Sequence, residues 1–124
     1  NIGAGTNNSN LKNNYGAVKV TVNGKVIDTG LQFMGLIMGD HSKCGINTTF
    51  NTGTNVGINC NLYGSAMHKR HISSFTWGSA ADDYTTYKLD KALAVNKTVM
   101  SRRQQYLSKY EEELLGNIFQ LTTG

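Results

Sequence analysis

Met38-Gly39-Asp40-His41-Ser42-Lys43-Cys44-Gly45-Ile46-Asn47-Thr48-Thr49-Phe50-Asn51-Thr52-Gly53-Thr54-Asn55-Val56-Gly57-Ile58-Asn59-Cys60-Asn61-Leu62 repeats every six residues. Met38, Cys44, Phe50, Val56 and Leu62 are apolar and stand six apart. Four places after the first four of them come Ser42, Thr48, Thr54 and Cys60, all small. Gly39, Gly45 and Gly57 directly follow an apolar residue, and Asn51 takes that place once. Ile2, Gly3 and Thr6 fall in the same phase. Side chains recur every 3.6 residues on a helix and every two on a strand, and six suits neither. Six is the period of a chain wound into a β-solenoid, with each hexad making one short flat side and one corner. About three hexads close one coil. The apolar residue points to the axis and stacks on its counterpart in the next coil, and the small residue fits beside it. Gly or Asn after the apolar residue is expected to turn the corner, because both tolerate φ > 0.

Upstream of the repeat, residues 1–7 end one coil and residues 8–16 are loop by composition. Ala17-Val18-Lys19-Val20-Thr21-Val22 alternates like a strand, Asn23-Gly24 follows, and then comes Lys25-Val26-Ile27-Asp28-Thr29. Asn-Gly between two β-rich runs predicts a hairpin, protruding from the prism at about residues 17–30. Downstream, the period stops after Leu62-Tyr63-Gly64, and the aromatics of residues 65–81 are expected to cover the open end of the prism. From Asp82 the pattern turns helical. Leu89, Ala92, Leu93, Asn96, Val99, Met100 and Arg103 mark one face of a helix at about residues 83–104. Ser108 and Glu111 have the spacing of a capping box, so a second helix is expected at about residues 109–120, burying Leu114, Leu115, Ile118 and Phe119. The fold class is therefore mainly β: a parallel β-helix over 1–81 with a hairpin insertion, and a helical cap over 82–124 that blocks end-to-end stacking.

The chain has 124 residues, enough for one compact unit, and a net charge of +4. Its basic residues are scattered, apart from His68-Lys69-Arg70-His71 and Arg102-Arg103. No aromatic-interleaved basic stripe appears, so no nucleic-acid partner is expected. A basic patch of this kind suits phosphates of a nucleotide or of coenzyme A, although a solvated surface is the plainer reading of each cluster, and His68 and His71 read as surface or phosphate-contacting residues. No apolar run is long enough to span a bilayer, and no signal-peptide pattern is present, so no membrane association is expected. Cys44 and Cys60 occupy inward places as small apolar fillers, not as a disulfide framework, which suits a reducing cytoplasm. No metal site is indicated. The chain opens inside a hexad, where a first coil would leave its stacking surface bare, so it is expected to be the C-terminal piece of a longer protein.

Two motifs go beyond the fold. Asn1-Ile2-Gly3-Ala4-Gly5-Thr6 resembles the N-I-G-A-G-T motif in the C-terminal domain of bacterial bifunctional N-acetylglucosamine-1-phosphate uridyltransferase/glucosamine-1-phosphate acetyltransferases. Gly39-Asp40-His41-Ser42-Lys43 through Phe50-Asn51-Thr52-Gly53-Thr54, followed by Ser74-Phe75-Thr76-Trp77-Gly78, resembles a group of Bacteroidetes-type sugar nucleotidyltransferases. The resemblance covers most of residues 1–120. It implies a left-handed β-helix that forms a homotrimer with sites between neighbours, acetyl-CoA as acyl donor, and an amino sugar phosphate or nucleotide sugar as acceptor. It also implies an N-terminal nucleotidyltransferase domain outside this chain, with Mg belonging to that domain alone.

Residue by residue, the resemblance points to Asn1 at the amino sugar and Ala4 at the acetyl-CoA. A C-N-Y-D-G-x-x-K stretch follows in the bifunctional enzymes, and two segments match it in part. Ser9-Asn10-Leu11 keeps the spacing, which places Asn10 at the acyl donor; Asn14-Tyr15-Gly16-Ala17-Val18-Lys19 keeps the residues, which places Asn14, Tyr15 and Lys19 at the substrate. The family's catalytic base is a His upstream of Asn1. Within the chain the candidate base is His41, in an outward place beside Asp40, which would orient its ring; an exposed corner histidine is the plainer reading. Glu111-Glu112-Glu113 reads as helix-start charge. The alternative function is a non-catalytic β-helix that builds the oligomer or binds an effector. An ice-binding or structural solenoid is a third reading, suggested by Thr48, Thr49, Thr52 and Thr54.

Overall fold

The computed structural model describes residues 1–123. In chain order the strands are β1 (Asn7–Asn8), β2 (Lys19–Val22), β3 (Lys25–Asp28), β4 (Ile37–Met38), β5 (Lys43–Cys44), β6 (Thr49–Phe50), β7 (Asn55–Val56), β8 (Asn61–Leu62), β9 (His71–Ile72), β10 (Thr76–Ser79) and β11 (Asp83–Thr86). Two helices follow, α1 (Leu89–Ser101) and α2 (Lys109–Thr123). The hexads become two-residue strands, and these pair in parallel. β4, β7 and β9 form one ladder, β5, β8 and β10 a second with β11 antiparallel at its edge, and β1 and β6 a third. Ile37 pairs with Asn55 and Lys43 with Asn61, in each case three hexads further along the chain. Ile2 bridges to Cys44 at the foot of the second ladder.

The inward places are filled as the repeat predicts. Cys44, Phe50, Val56, Cys60, Leu62 and Ile72 form one buried cluster, with Met38 packed against it. Ser42, Thr48 and Thr54 are buried beside them. Buried hydroxyls must be satisfied. The Thr48 and Thr54 hydroxyls each donate to the carbonyl three residues back, of Gly45 and Asn51, at 2.7 Å. The small polar residue thus ties its own corner.

The glycines have a different cause from the one expected. Positive φ occurs at the third place after the apolar residue, at Gly5, His41, Asn47, Gly53 and Asn59, and not at Gly39, Gly45 or Gly57. Gly39 and Gly57 are needed for close approach. A Cβ on Gly39 would lie 2.6 Å from the Gly57 carbonyl oxygen, and one on Gly57 would lie 2.4 Å from the Ser74 nitrogen.

The ladders also outlast the repeat. β7 pairs with β9 and β8 with β10, although these partners follow one another sooner than three hexads would bring them. His68 keeps the three-hexad step from Phe50, and its ring stacks on the Phe50 ring at 5.6 Å. It is buried, not at the surface as expected, with Nδ1 2.8 Å from the Tyr84 hydroxyl. Burial holds its pKa below the usual imidazole value, opposed by the Tyr63 carbonyl.

The hairpin is β2 and β3, paired Lys19 to Asp28 and Val22 to Lys25. Asn23 and Gly24 both take positive φ, as a two-residue turn of this kind demands. It does not simply protrude: Val18 and Val20 are buried, and the Asn55 side-chain amide donates to the Thr21 carbonyl at 2.9 Å.

Residues 83–86, expected as the start of a helix, form β11 instead. Tyr84-Thr85-Thr86 is β-branched and aromatic, and it pairs along the edge of β10. Gly78 permits this, since a Cβ there would lie 2.6 Å from the Asp83 carbonyl oxygen. The helix therefore starts at Leu89. The capping box forms at α2: Ser108 N donates to Glu111 Oε2 at 3.0 Å, and Glu111 N to Ser108 Oγ at 3.2 Å. Phe75, Ala92, Leu107 and Leu115 make a second buried cluster, with Ile118 and Phe119 against it, while Leu114 is exposed. Phe75, rather than Trp77, is the aromatic that seals the helical end. Among the described residues no helix is long and apolar enough to cross a membrane.

Candidate functional site

The corner between β4 and β5 carries the candidate base. His41 sits there at φ 61°, while the matching places elsewhere hold Gly5, Asn47, Gly53 and Asn59. A side chain in the left-handed region is strained, and such strain gathers at functional sites where neighbours hold it in place. Asn59, one pass further on, donates its N–H to the Asp40 carbonyl at 2.9 Å. Across the corner lies α2. His41, Asp40, Ile58, Glu111, Leu114, Leu115 and Ile118 enclose a cavity of about 220 Å³. Glu111, read from sequence as helix-start charge, thus also faces this cavity.

Burial pushes the His41 imidazole below its usual value, Lys43 adds to the lowering, and the Asp40 and Glu111 carboxylates oppose it. Lys43 is itself held low by burial, and its ammonium donates to the His41 carbonyl at 3.4 Å. A lowered imidazole is neutral near pH 7 with a free lone pair, which is what a general base requires. Among the described residues no hydrogen bond joins the Asp40 carboxylate to the ring, so Asp40 acts there through charge, not by orienting it. The Asn1 backbone adjoins the same pass: its nitrogen donates to the Ser42 carbonyl at 3.0 Å, and its carbonyl accepts from Cys44 N at 3.0 Å.

The other candidates lie elsewhere on the chain. Ala4 is exposed at the next corner, where its carbonyl accepts from Asn47 N at 2.8 Å. Asn14 lines a polar cleft of about 320 Å³ with Ser9, Lys12, Asn51, Thr52 and Arg70, at the corner after β6. Its Oδ1 accepts from Gly16 N at 2.9 Å. Asn10 is exposed nearby, with its carbonyl taken by Met34 N. Tyr15 is exposed at φ 58°, and Lys19 is exposed on β2. One chain therefore pairs the Asn1 backbone with Ser42 and Cys44, close to His41 in sequence, and places Asn14 at a different corner.

Sequence reasoning missed Lys43, Lys12, Asn51 and Thr52. The basic patch at 68–71 did signal Arg70, whereas His71 lines a different cavity, of about 500 Å³, beside the hairpin turn. Among the described residues no group of three His, Cys, Asp or Glu side chains is placed to hold a metal ion.

No profile of a known protein family matches the chain. It is 38% identical over 72 residues to the bifunctional sugar-1-phosphate nucleotidylyltransferase/acetyltransferase of Sulfurisphaera tokodaii, a match covering 58% of this chain and 18% of that protein. It is 35% identical over 89 residues to the bifunctional protein GlmU of Methanocaldococcus jannaschii, covering 72% of this chain and 22% of that protein. The chain thus spans about a fifth of the length of these curated relatives. The resemblance first read from the N-I-G-A-G-T motif holds: this chain is similar to a part of the bifunctional sugar-1-phosphate nucleotidyltransferase/acetyltransferases.

Proposed function

We propose that the chain is a left-handed parallel β-helix domain of a sugar-1-phosphate nucleotidyltransferase, and that it transfers acetyl from acetyl-CoA to an amino sugar phosphate or nucleotide sugar. The observation that carries this reading is His41: a strained corner imidazole held below its usual pKa by burial and Lys43, lining the cavity beneath α2. Acetyl-CoA supplies an activated thioester. His41 takes the proton that the attacking amine must lose, and Asn1 holds the amino sugar. Backbone N–H groups of the coil steady the developing oxyanion, whose collapse breaks the C–S bond and releases coenzyme A, its thiolate taking the proton back from the imidazolium. Glu111 and Asp40 favour the imidazolium once the proton has moved.

Asn14 lies at a different corner from His41. A cyclic trimer can set one copy's corner against another's, so the site is completed between subunits. That same separation favours the second reading, a β-helix serving assembly or effector binding. The test is thiol release from acetyl-CoA by the full-length protein carrying this chain, offered glucosamine-1-phosphate and a panel of amino sugar phosphates. Turnover with any acceptor supports acetyl transfer. No turnover, with nucleotidyl transfer intact, establishes the second reading.

A further inference from the structure

A cavity of about 430 Å³ lies between the outer face of β10 and the start of α1, lined by Trp77, Thr86, Tyr87, Lys88, Lys91, Ala94 and Val95. Trp77 points outward because Gly78, its neighbour on β10, faces in and is buried. Trp77 is 40% exposed, high for the largest apolar residue in the molecule. Its orientation is nonetheless held. Tyr63 meets it near-perpendicular at 6.3 Å, and Tyr87 at 5.0 Å. Ala94 and Val95 supply an apolar wall opposite. The volume lies within the range of small-molecule sites.

Charge selects the guest. Lys88 and Lys91 line the cavity, and lysine stems pack on apolar surface while their ammonium groups stay in water. An aromatic pocket without them would suit a cation; with them it repels one and attracts an anion. The fitting ligand has a flat ring to lie on Trp77 and a phosphate for the two lysines. We propose that this cavity binds a nucleoside diphosphate group, its base on Trp77 and its phosphates on Lys88 and Lys91. The group is shared by nucleotide sugars and by coenzyme A. This site is distinct from the His41 corner and does not depend on whether acetyl is transferred.

Trp77 is the one tryptophan of the chain, so its fluorescence reports on this cavity directly. The experiment titrates the chain with UDP, dTDP, ADP, coenzyme A, glucosamine-1-phosphate and inorganic pyrophosphate. Saturable quenching by nucleoside diphosphates is expected, and the tighter of UDP or dTDP against coenzyme A identifies the source. Lys88→Ala with Lys91→Ala, both exposed, should weaken binding roughly tenfold or more while the circular dichroism melt is unchanged. Trp77→Ala, followed by calorimetry, should weaken it by a similar factor. The proposal is overturned if no nucleoside diphosphate quenches saturably, if the double lysine variant binds as tightly as the parent, or if glucosamine-1-phosphate competes as well as UDP.

Discussion

The passes from Met38 to Leu62 and from Tyr63 to Gly78 occupy the same ladders, yet only the first announces itself. In the first, partners stand three full hexads apart and every inward place has the expected residue type. In the second, the partners fall short of that step, and a histidine takes the inward place above Phe50. The chain is shortened between His68 and Ile72, and that is enough to erase the period while the backbone pairing continues. Periodicity therefore measures how uniform the corners are, and ladder continuity depends on the hydrogen bonds.

The largest effect expected from breaking the regular pass is at Phe50, which is fully buried. Phe50→Asp places an unpaired charge on the stacking axis at a cost of several kcal/mol, comparable with total stability. A thermal melt by circular dichroism should show no cooperative transition; a melt like the parent's would mean that the register is wrong. Next in size is a contrast between two glycines of like sequence position. Gly57→Ala drives a Cβ into the Ser74 backbone, whereas Gly45→Ala meets Tyr63 Cβ at an ordinary 3.5 Å. Urea denaturation should show a loss of about 1–3 kcal/mol for the first and under about 0.5 kcal/mol for the second. Equal losses would contradict the close-approach account of the corner glycines.

A smaller effect sharpens the irregular pass. An unfolded histidine titrates near 6.5, and folded His68 lies lower because it is buried. Below 6.5 the unfolded chain binds the extra proton first, so stability is full above that value and falls as pH drops toward the folded value. His41 acts with the same sign. His68→Phe keeps the stack on Phe50 and removes one titration. Urea midpoints at about pH 7.5 and about pH 5.5 should therefore differ less in the variant than in the parent. An identical pH dependence would place His68 in water. The smallest effect is on the stability of His41→Ala, within about 1 kcal/mol in the same assay, since the side chain is only partly buried and makes no hydrogen bond among the described residues.

Much of the core was legible because inward places demand size and polarity classes that a single sequence displays. The hairpin was legible from Asn23-Gly24, and the second helix from Ser108 and Glu111. What stayed hidden depends on contacts between passes. Gly39 and Gly57 look like turn glycines until the next pass is laid over them. Tyr84-Thr85-Thr86 follows Asp82-Asp83, which reads as a helix start until the free edge of β10 is there to pair with it. At the candidate site, His41 was legible as an outward residue, but the wall that α2 builds across it with Glu111 was not. Lys43 looked like any surface lysine, and only its burial beside the His41 corner changes that. Trp77 was assigned to the open end, whereas Gly78 turns it outward.

The proposed acetyl transfer stands or falls on proton transfer at the His41 corner. The most direct measurement is the rate of thiol release from acetyl-CoA by the full-length protein and its His41→Ala variant, each shown to melt alike. A loss of about 10²- to 10⁴-fold in kcat is the predicted result. An unchanged rate in the variant would contradict it and move the base elsewhere.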